Sequence, residues 1–291
     1  MVMDYMQIIM NILDFTFNGK KLSEFGCICC NFDSSSGTVE VSSGADVTLN
    51  QEKPSGSNKF NLYSTSYDEP FTLPLSICLN PCGNYENMEM SVEQARKIQK
   101  WLSLRNKKFK INIEGYENIY WVGTFTCKQV MLNSSIIGFN LTFTAHTPYA
   151  LQENESFNIE LSDTLESDIV FTSDVYGYID ADYVITVKEA GNLKFDTYYY
   201  NPDTKVYILD REFTVKNCIA DEKIYVKGDT QLVTSSSTHE LGKDCNFILP
   251  RLVNTYQSDD EEIRNKITSN LKCNVQITYN PTAMIGYGYK S

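Results

Sequence analysis

Apolar residues alternate with polar ones through most of this chain, and that period of two constrains the fold more than any other feature. In "ILDFTFNGKKL" (residues 12–22), Leu13, Phe15 and Phe17 alternate with polar neighbours, and the run turns at Asn18 and Gly19. Such a pair suits a two-residue hairpin, because both residues tolerate positive φ. "GTVEVSSGADVTLNQ" (37–51) supplies two more alternating runs, and "FTLPLSICL" (71–79) another, which Pro74 confines to an edge or a bulge. "QEKPSGSN" (51–58) reads as an exposed loop. Residues 108–132 and 135–150 read as a three-stranded meander, with turns at 115–118 and 133–135. "LQENESFN" (151–158) is polar and aperiodic and marks a seam. Beyond it come alternating runs with turns about every ten residues, as in an all-β sandwich. They are "YVITVKEAGNLKFDTYYYN" (183–201), "REFTVKNC" (211–218), "EKIYVKGDTQLVT" (222–234), "CNFILP" (245–250) and "NVQITYNP" (274–281). "SDDEEIRNKI" (258–267) is expected to start a short helix, with acids in its first turn. The expectation is a mainly β protein of two domains, 1–150 and 151–291. The first is a β-sandwich or barrel-like domain with one α-helix, and the second is a β-sandwich.

That one helix lies in "MSVEQARKIQKWLSLRNK" (90–107). Ser91 and Gln94 form a capping box. Ala95, Ile98 and Leu102 make the apolar stripe, flanked by Val92 and Trp101. The helix is also basic: Arg96, Lys97, Lys100, Arg105, Lys107, Lys108 and Lys110 fall within fifteen residues that contain no acid, in a chain of net charge −12. Residues 1–150 carry 14 acids against 12 bases, and residues 151–291 carry 23 against 13. A surface that acidic repels phosphate, and the basic cluster lacks the interleaved aromatics of a single-strand binder, so specific nucleic-acid binding is not expected. A solvated face, or a face that meets acidic residues of another protein copy, are the readings left open.

Little in the sequence points to a reaction. There is no G-x-S-x-G elbow, phosphate-cradling glycine loop or H-E-x-x-H, and His146 and His239 are the only histidines. No enzyme activity is expected. Asp180 and Asp182 share a strand face and are read as solvated acids, as is the run 259–262. The nine cysteines lack the paired C-x-x-C spacing of a zinc site and are read as reduced thiols packed as small hydrophobes, with no metal or cofactor. Tyr199 should face opposite to Tyr198 and Tyr200, leaving at least one ring in the core and one exposed. Tyr199 and Tyr200 are therefore the candidate contacts of an alternative reading, a carbohydrate-binding module for host-surface glycans. The N-terminal "MVMDYMQIIMNIL" has no basic region before its apolar run and no cleavage site, and no stretch reaches the ~20 apolar residues of a membrane span. A cytosol-made protein without membrane insertion is expected.

The order of these elements resembles the distal tail protein family of long-tailed bacteriophages. The resemblance rests on "FTFNGKKLSEFG" (15–26), the capped helix ending in Trp101 and Leu102, "FTAHTPYA" (143–150), "DEKIYVKGDTQLVTSSS" (221–237), "FILPRLVNTY" (247–256) and "NVQITYNP". It implies an N-terminal domain that assembles as a six-membered ring continuing the tail tube, and a galectin-like second sandwich at the periphery. It also implies a virion protein of the tail tip, made in the bacterial host cytoplasm. Its partners would be the tail tube and tape-measure proteins above, and the tail-associated hub or lysin and the receptor-binding proteins below. On this reading Asn18, Gly19, Arg96, Lys97, Lys100 and Arg105 are the candidate self-association or partner contacts.

Overall fold

Two-residue turns with left-handed backbone set the topology of the first half, as the Asn-Gly pair leads one to expect. The computed structural model describes residues 14–32, 47–83, 88–112, 116–255 and 263–283. It divides into two units that part between Leu151 and Gln152. The N-terminal apolar run, residues 37–46 of the early alternating stretch and the acids at 259–262 lie outside the described residues.

In the first unit the strands are β1 (Phe15–Phe17), β2 (Lys20–Lys21), β3 (Cys27–Cys30), β4 (Val47–Glu52), β5 (Asn61–Tyr67), β6 (Thr72–Leu79), β7 (Lys107–Ile111), β8 (Ile119–Leu132), β9 (Ser135–Ala145) and β10 (Ala150–Gln152). Asn18 (φ 50) and Gly19 (φ 75) close β1 onto β2, pairing Phe17 with Lys20. Asn133 (φ 48) and Ser134 (φ 71) do the same for β8 and β9. The main sheet is antiparallel, in the order β2-β1-β7-β8-β9-β6-β3. β3 covers β6 only from Ser76 to Leu79, so among the described residues no strand lies opposite Pro74 on that side, where its missing N–H costs no ladder bond.

The sheet buries a cluster of rings from alternate positions: Phe15, Phe17, Phe109, Trp121, Phe125 and Phe143. Phe109 and Phe143 stack at 4.5 Å between centroids. Helix α1 (Val92–Leu102) lies against it, with Ala95, Ile98, Trp101 and Leu102 buried. Ser91 Oγ accepts from the Gln94 N–H at 3.2 Å, and Gln94 Oε1 accepts from the Ser91 N–H at 3.0 Å, so the helix start is satisfied in both directions. Trp101 is an anchor rather than a flank. Its ring stacks on Phe25 at 4.5 Å and on Phe15 at 5.8 Å, and its indole N–H donates to the Phe17 carbonyl at 3.0 Å. Val92, expected on the flank of the stripe, is instead 69% exposed. A helical side chain leans toward the turn before it, and the first helical residue has none.

The second unit contains β11 (Glu155–Leu161), β12 (Glu166–Phe171), β13 (Gly177–Ile179), β14 (Ala181–Val187), β15 (Gly191–Asn201), β16 (Val206–Cys218), β17 (Lys223–Lys227), β18 (Leu232–Ser235), β19 (Leu252–Asn254), β20 (Ile263–Ser269) and β21 (Cys273–Tyr279). Five strands form one antiparallel sheet, β11-β21-β14-β17-β18, and four form another, β12-β20-β15-β16. One apolar core joins inward residues of both, including Tyr183, Ile224 and Ile277 from the first sheet and Phe195, Phe213 and Ile267 from the second. That is a sandwich.

Three expectations for this region change. The stretch 151–158, read as polar and aperiodic, is largely strand: it runs through β10 into β11, which pairs with β21 from Glu155 to Leu161. Phe157 stacks on Tyr279 at 5.8 Å, and Tyr279 donates its hydroxyl to Glu155 at 2.6 Å. The segment expected to start a helix is strand β20 from Ile263 onward, because Ile263, Asn265, Ile267 and Ser269 alternate inward. Asn265 survives burial by exchanging both its amide groups with the Val253 backbone at 2.8 Å. "CNFILP" makes only a single bridge at Cys245 and then turns through Phe247 (φ 55), whose ring stays half exposed.

Candidate functional site

The most unusual surface of the first unit is the hairpin β4–β5. Among the described residues its two strands pair only with each other. The segment 51–58, read in sequence as an exposed loop, gives the last two residues of β4 and most of the hairpin's tip, with Gly56 at φ 79. Leu49, Phe60, Leu62 and Tyr63 are all more than half exposed on it. Leu49 pairs opposite Thr65 and Leu62 opposite Gln51, with a bulge between Asn50 and Gln51. A two-stranded ribbon that exposes its apolar side chains is marginal alone in water.

The borders of the main sheet are by contrast blunted. One ends in the two-residue β2, whose residues are exposed Lys20 and Lys21, and the other ends in the short β3 beside Pro74. Short, charged or proline-bearing edges resist pairing with another chain. The hairpin is the surface that sequence reasoning missed; the signal was Phe60, Leu62 and Tyr63 directly after a turn-rich segment.

Asn18 and Gly19 sit exposed at the β1–β2 turn, where the Asn18 N–H donates to the Lys108 carbonyl at 2.9 Å. The basic cluster is less uniform than its sequence suggests. Lys97 is paired with Glu93 one turn earlier at 2.9 Å, and the Lys97 ammonium holds the Glu93 carboxyl below its ordinary range. Lys108 lies over the Tyr120 ring at 3.9 Å, and Lys110 donates to the Glu117 carbonyl at 3.4 Å. Arg96, Lys100 and Arg105 are exposed and carry no ion pair among the described residues. The open positive charge of the helix face is therefore Arg96 and Lys100, with Arg105 just past the helix.

The tyrosine triplet does not split as alternation requires. Tyr198, Tyr199 and Tyr200 are all half-buried, although β15 keeps its register with β20 through Tyr199 and the shift opposite them skips Asp210 on β16. Tyr200 already packs edge-on against Tyr207 at 5.4 Å. Asp182 is occupied by the Lys227 ammonium and by the Gly228 N–H at 3.1 Å, which removes it as a free carboxylate. His146 is exposed at the end of β9.

His239, read in sequence as part of a polar loop, is nearly buried between two carboxylates. Its Nε2 lies 3.0 Å from Glu222 Oε1, and its Nδ1 lies 3.3 Å from Asp244 Oδ2. The Glu222 side chain is fully buried. Burial alone would raise its carboxyl, but donors outweigh that and hold it below the usual range. The donors are the Ser235 hydroxyl, the Ile219 N–H, Ser237 and His239. The Cys218 sulfur faces the same group. Burial and the nearby Glu222 and Asp244 push that thiol up to about 11.

Both units match known families: residues 10–147 match the phage tail protein N-terminal domain, and residues 149–279 the phage tail C-terminal domain. A mainly β chain carrying these two domains in this order belongs to the phage tail proteins. Its fold is that of a distal tail protein. The Dit protein of phage SPP1, described as a paradigm of the hub adsorption apparatus in phages infecting Gram-positive hosts, superposes with a TM-score of 0.57 at 8% identity. The match covers 92% of this chain and 98% of that one. A chain of the phage P2 baseplate in its activated conformation with Ca aligns at a TM-score of 0.46 and 10% identity, over 94% of this chain and 99% of that one. No curated protein sequence matches. Among the described residues no helix is long and apolar enough to cross a membrane.

Proposed function

We propose that the protein is a non-enzymatic scaffold that closes into a six-membered ring at the distal end of the phage tail. There it joins the tail tube and tape-measure proteins to the hub and the receptor-binding proteins. The observation that carries this reading is the hairpin β4–β5, which pairs with no other described strand and holds four apolar side chains out to solvent. Membership of the phage tail proteins and the distal-tail fold support it. In a ring the same two patches recur at every boundary, so an arm from one copy seats on the body of the next. An arm of this kind supplies both the free ribbon edges and the apolar area that an obligate interface needs. Arg96, Lys100 and Arg105 sit on a separate exposed face, where they meet acidic groups of a neighbouring copy or of the adjoining tail component and fix register more than affinity.

The test is charge reversal, Arg96→Glu with Lys100→Glu, in the full chain. The variant is expected to melt like the parent and to lose ring order or its salt dependence. Rings of unchanged salt sensitivity would remove the helix face from the assembly.

A further inference from the structure

We propose that Cys218, Glu222 and His239 form a zinc site that ties three separate segments of the second unit together. The sulfur, a carboxylate oxygen and a ring nitrogen of these residues all lie within 4.8 Å of one another. Tetrahedral zinc with S, N and O ligands needs neighbours about 3.3–3.8 Å apart, so the widest gap closes by at most roughly an ångström and the 3.0 Å gap between Nε2 and Glu222 Oε1 opens slightly, both within reach of side-chain torsions. Cys218 ends β16, Glu222 precedes β17 and His239 follows β18, so three points of the chain meet at one atom.

Three further features point to a cation. The first is charge. The ion pairs of the Glu222 and Asp244 carboxylates both end on His239, so two acids face one imidazole in a site that is almost wholly buried. A buried excess of negative charge is costly, and a divalent ion offsets it. The second is orientation. Asp244 on Nδ1 fixes the ring so that Nε2 points to the Glu222 side, the carboxylate–histidine pairing that orients metal-binding imidazoles. The third is ligand type. One thiolate, one imidazole and one carboxylate select zinc over calcium or magnesium, which want oxygen alone. The Ser235 hydroxyl, already on the Glu222 carboxylate, is the oxygen at hand for a fourth position.

The test uses the full chain, stripped with chelator and titrated with Zn²⁺ alone against a chromophoric competitor. One tight equivalent per chain is expected. It should be lost in Cys218→Ser and in His239→Gln and kept in Cys127→Ser, which alters a thiol of the first unit. Co²⁺ in place of zinc is expected to give an intense near-ultraviolet sulfur-to-metal band that disappears in Cys218→Ser. Should that variant fail to fold, the Co²⁺ spectrum of the unaltered chain decides. No tight equivalent, a Co²⁺ spectrum without the sulfur band, or a tight equivalent that survives both substitutions would each overturn the site.

Discussion

The double substitution Phe60→Ser with Leu62→Ser separates assembly from folding. Both side chains are already largely in water, at 59% and 58% exposure, so the folded subunit gains little from them. Surface changes of this kind stay within about 0.5 kcal/mol of the parent. Seating them on a neighbour is another matter. Full burial of a Leu or Phe side chain stabilises by ~1.5–3 kcal/mol, and the exposed fraction of each leaves about 1–2 kcal/mol to be gained on contact. Losing both removes ~2–4 kcal/mol per contact, and at about 1.4 kcal/mol per tenfold this weakens each contact by roughly 30-fold or more. A ring subunit makes two such contacts, so the effect compounds. Sedimentation velocity over a concentration series, beside a thermal melt, measures both halves. The expected result is an unshifted melt and a monomer at concentrations where the parent is assembled. An unshifted melt with undiminished assembly would refute the role given to the hairpin.

Three other outcomes follow from the packing. Trp101→Phe keeps the stacking but removes the indole N–H that donates to the Phe17 carbonyl, and chemical denaturation should report a loss of ~0.5–1.5 kcal/mol. Gly123→Ala places a methyl 2.2 Å from the Thr144 carbonyl oxygen and 2.9 Å from the Ala145 Cα, where the β8–β9 ladder cannot yield. Overpacking there should cost ~1–3 kcal/mol and lower the melting temperature of the first unit. The thiols of β3 should be silent: burial, with Cys78 adding, pushes Cys27 up to about 12 from an ordinary 9.0, whereas Cys82 is exposed. A thiol reagent at pH 8 should therefore label Cys82 before Cys27. The native state also keeps a proton that the unfolded chain releases, so stability should fall as pH rises from about 9 toward 12, as pH-dependent denaturation would detect.

What the sequence revealed and what it hid follow from how local each signal is. The Asn18-Gly19 turn, the Ser91–Gln94 cap and the stripe Ala95, Ile98 and Leu102 are each settled within a few residues, and the fold keeps them. Strand β11 was hidden because Glu155, Ser156, Asn158 and Glu160 are polar and its inward side is filled only by Phe157, Ile159 and Leu161. The helix expected near residue 258 rested on acids that suit a helix start, whereas the inward alternation after Ile263 carries the strand. The tyrosine triplet was read by alternation alone, whereas the cover over each ring comes from neighbours on other strands, such as Tyr207 against Tyr200. The cluster at Cys218, Glu222 and His239 joins residues 4 and 17 positions apart through the β17–β18 hairpin, a spacing no short motif contains. The role proposed for β4–β5 lay hidden because exposed apolar residues acquire meaning only once the ribbon is seen to pair with no other strand among the described residues.

Images of the purified, unmodified chain in negative stain, with its mass measured in solution, test the ring most directly. The expected particle is an annulus with six-fold symmetry and an open centre, at six times the 33.2 kDa of one chain. A single-chain particle at high concentration, unchanged when the neighbouring tail proteins are added, would contradict it.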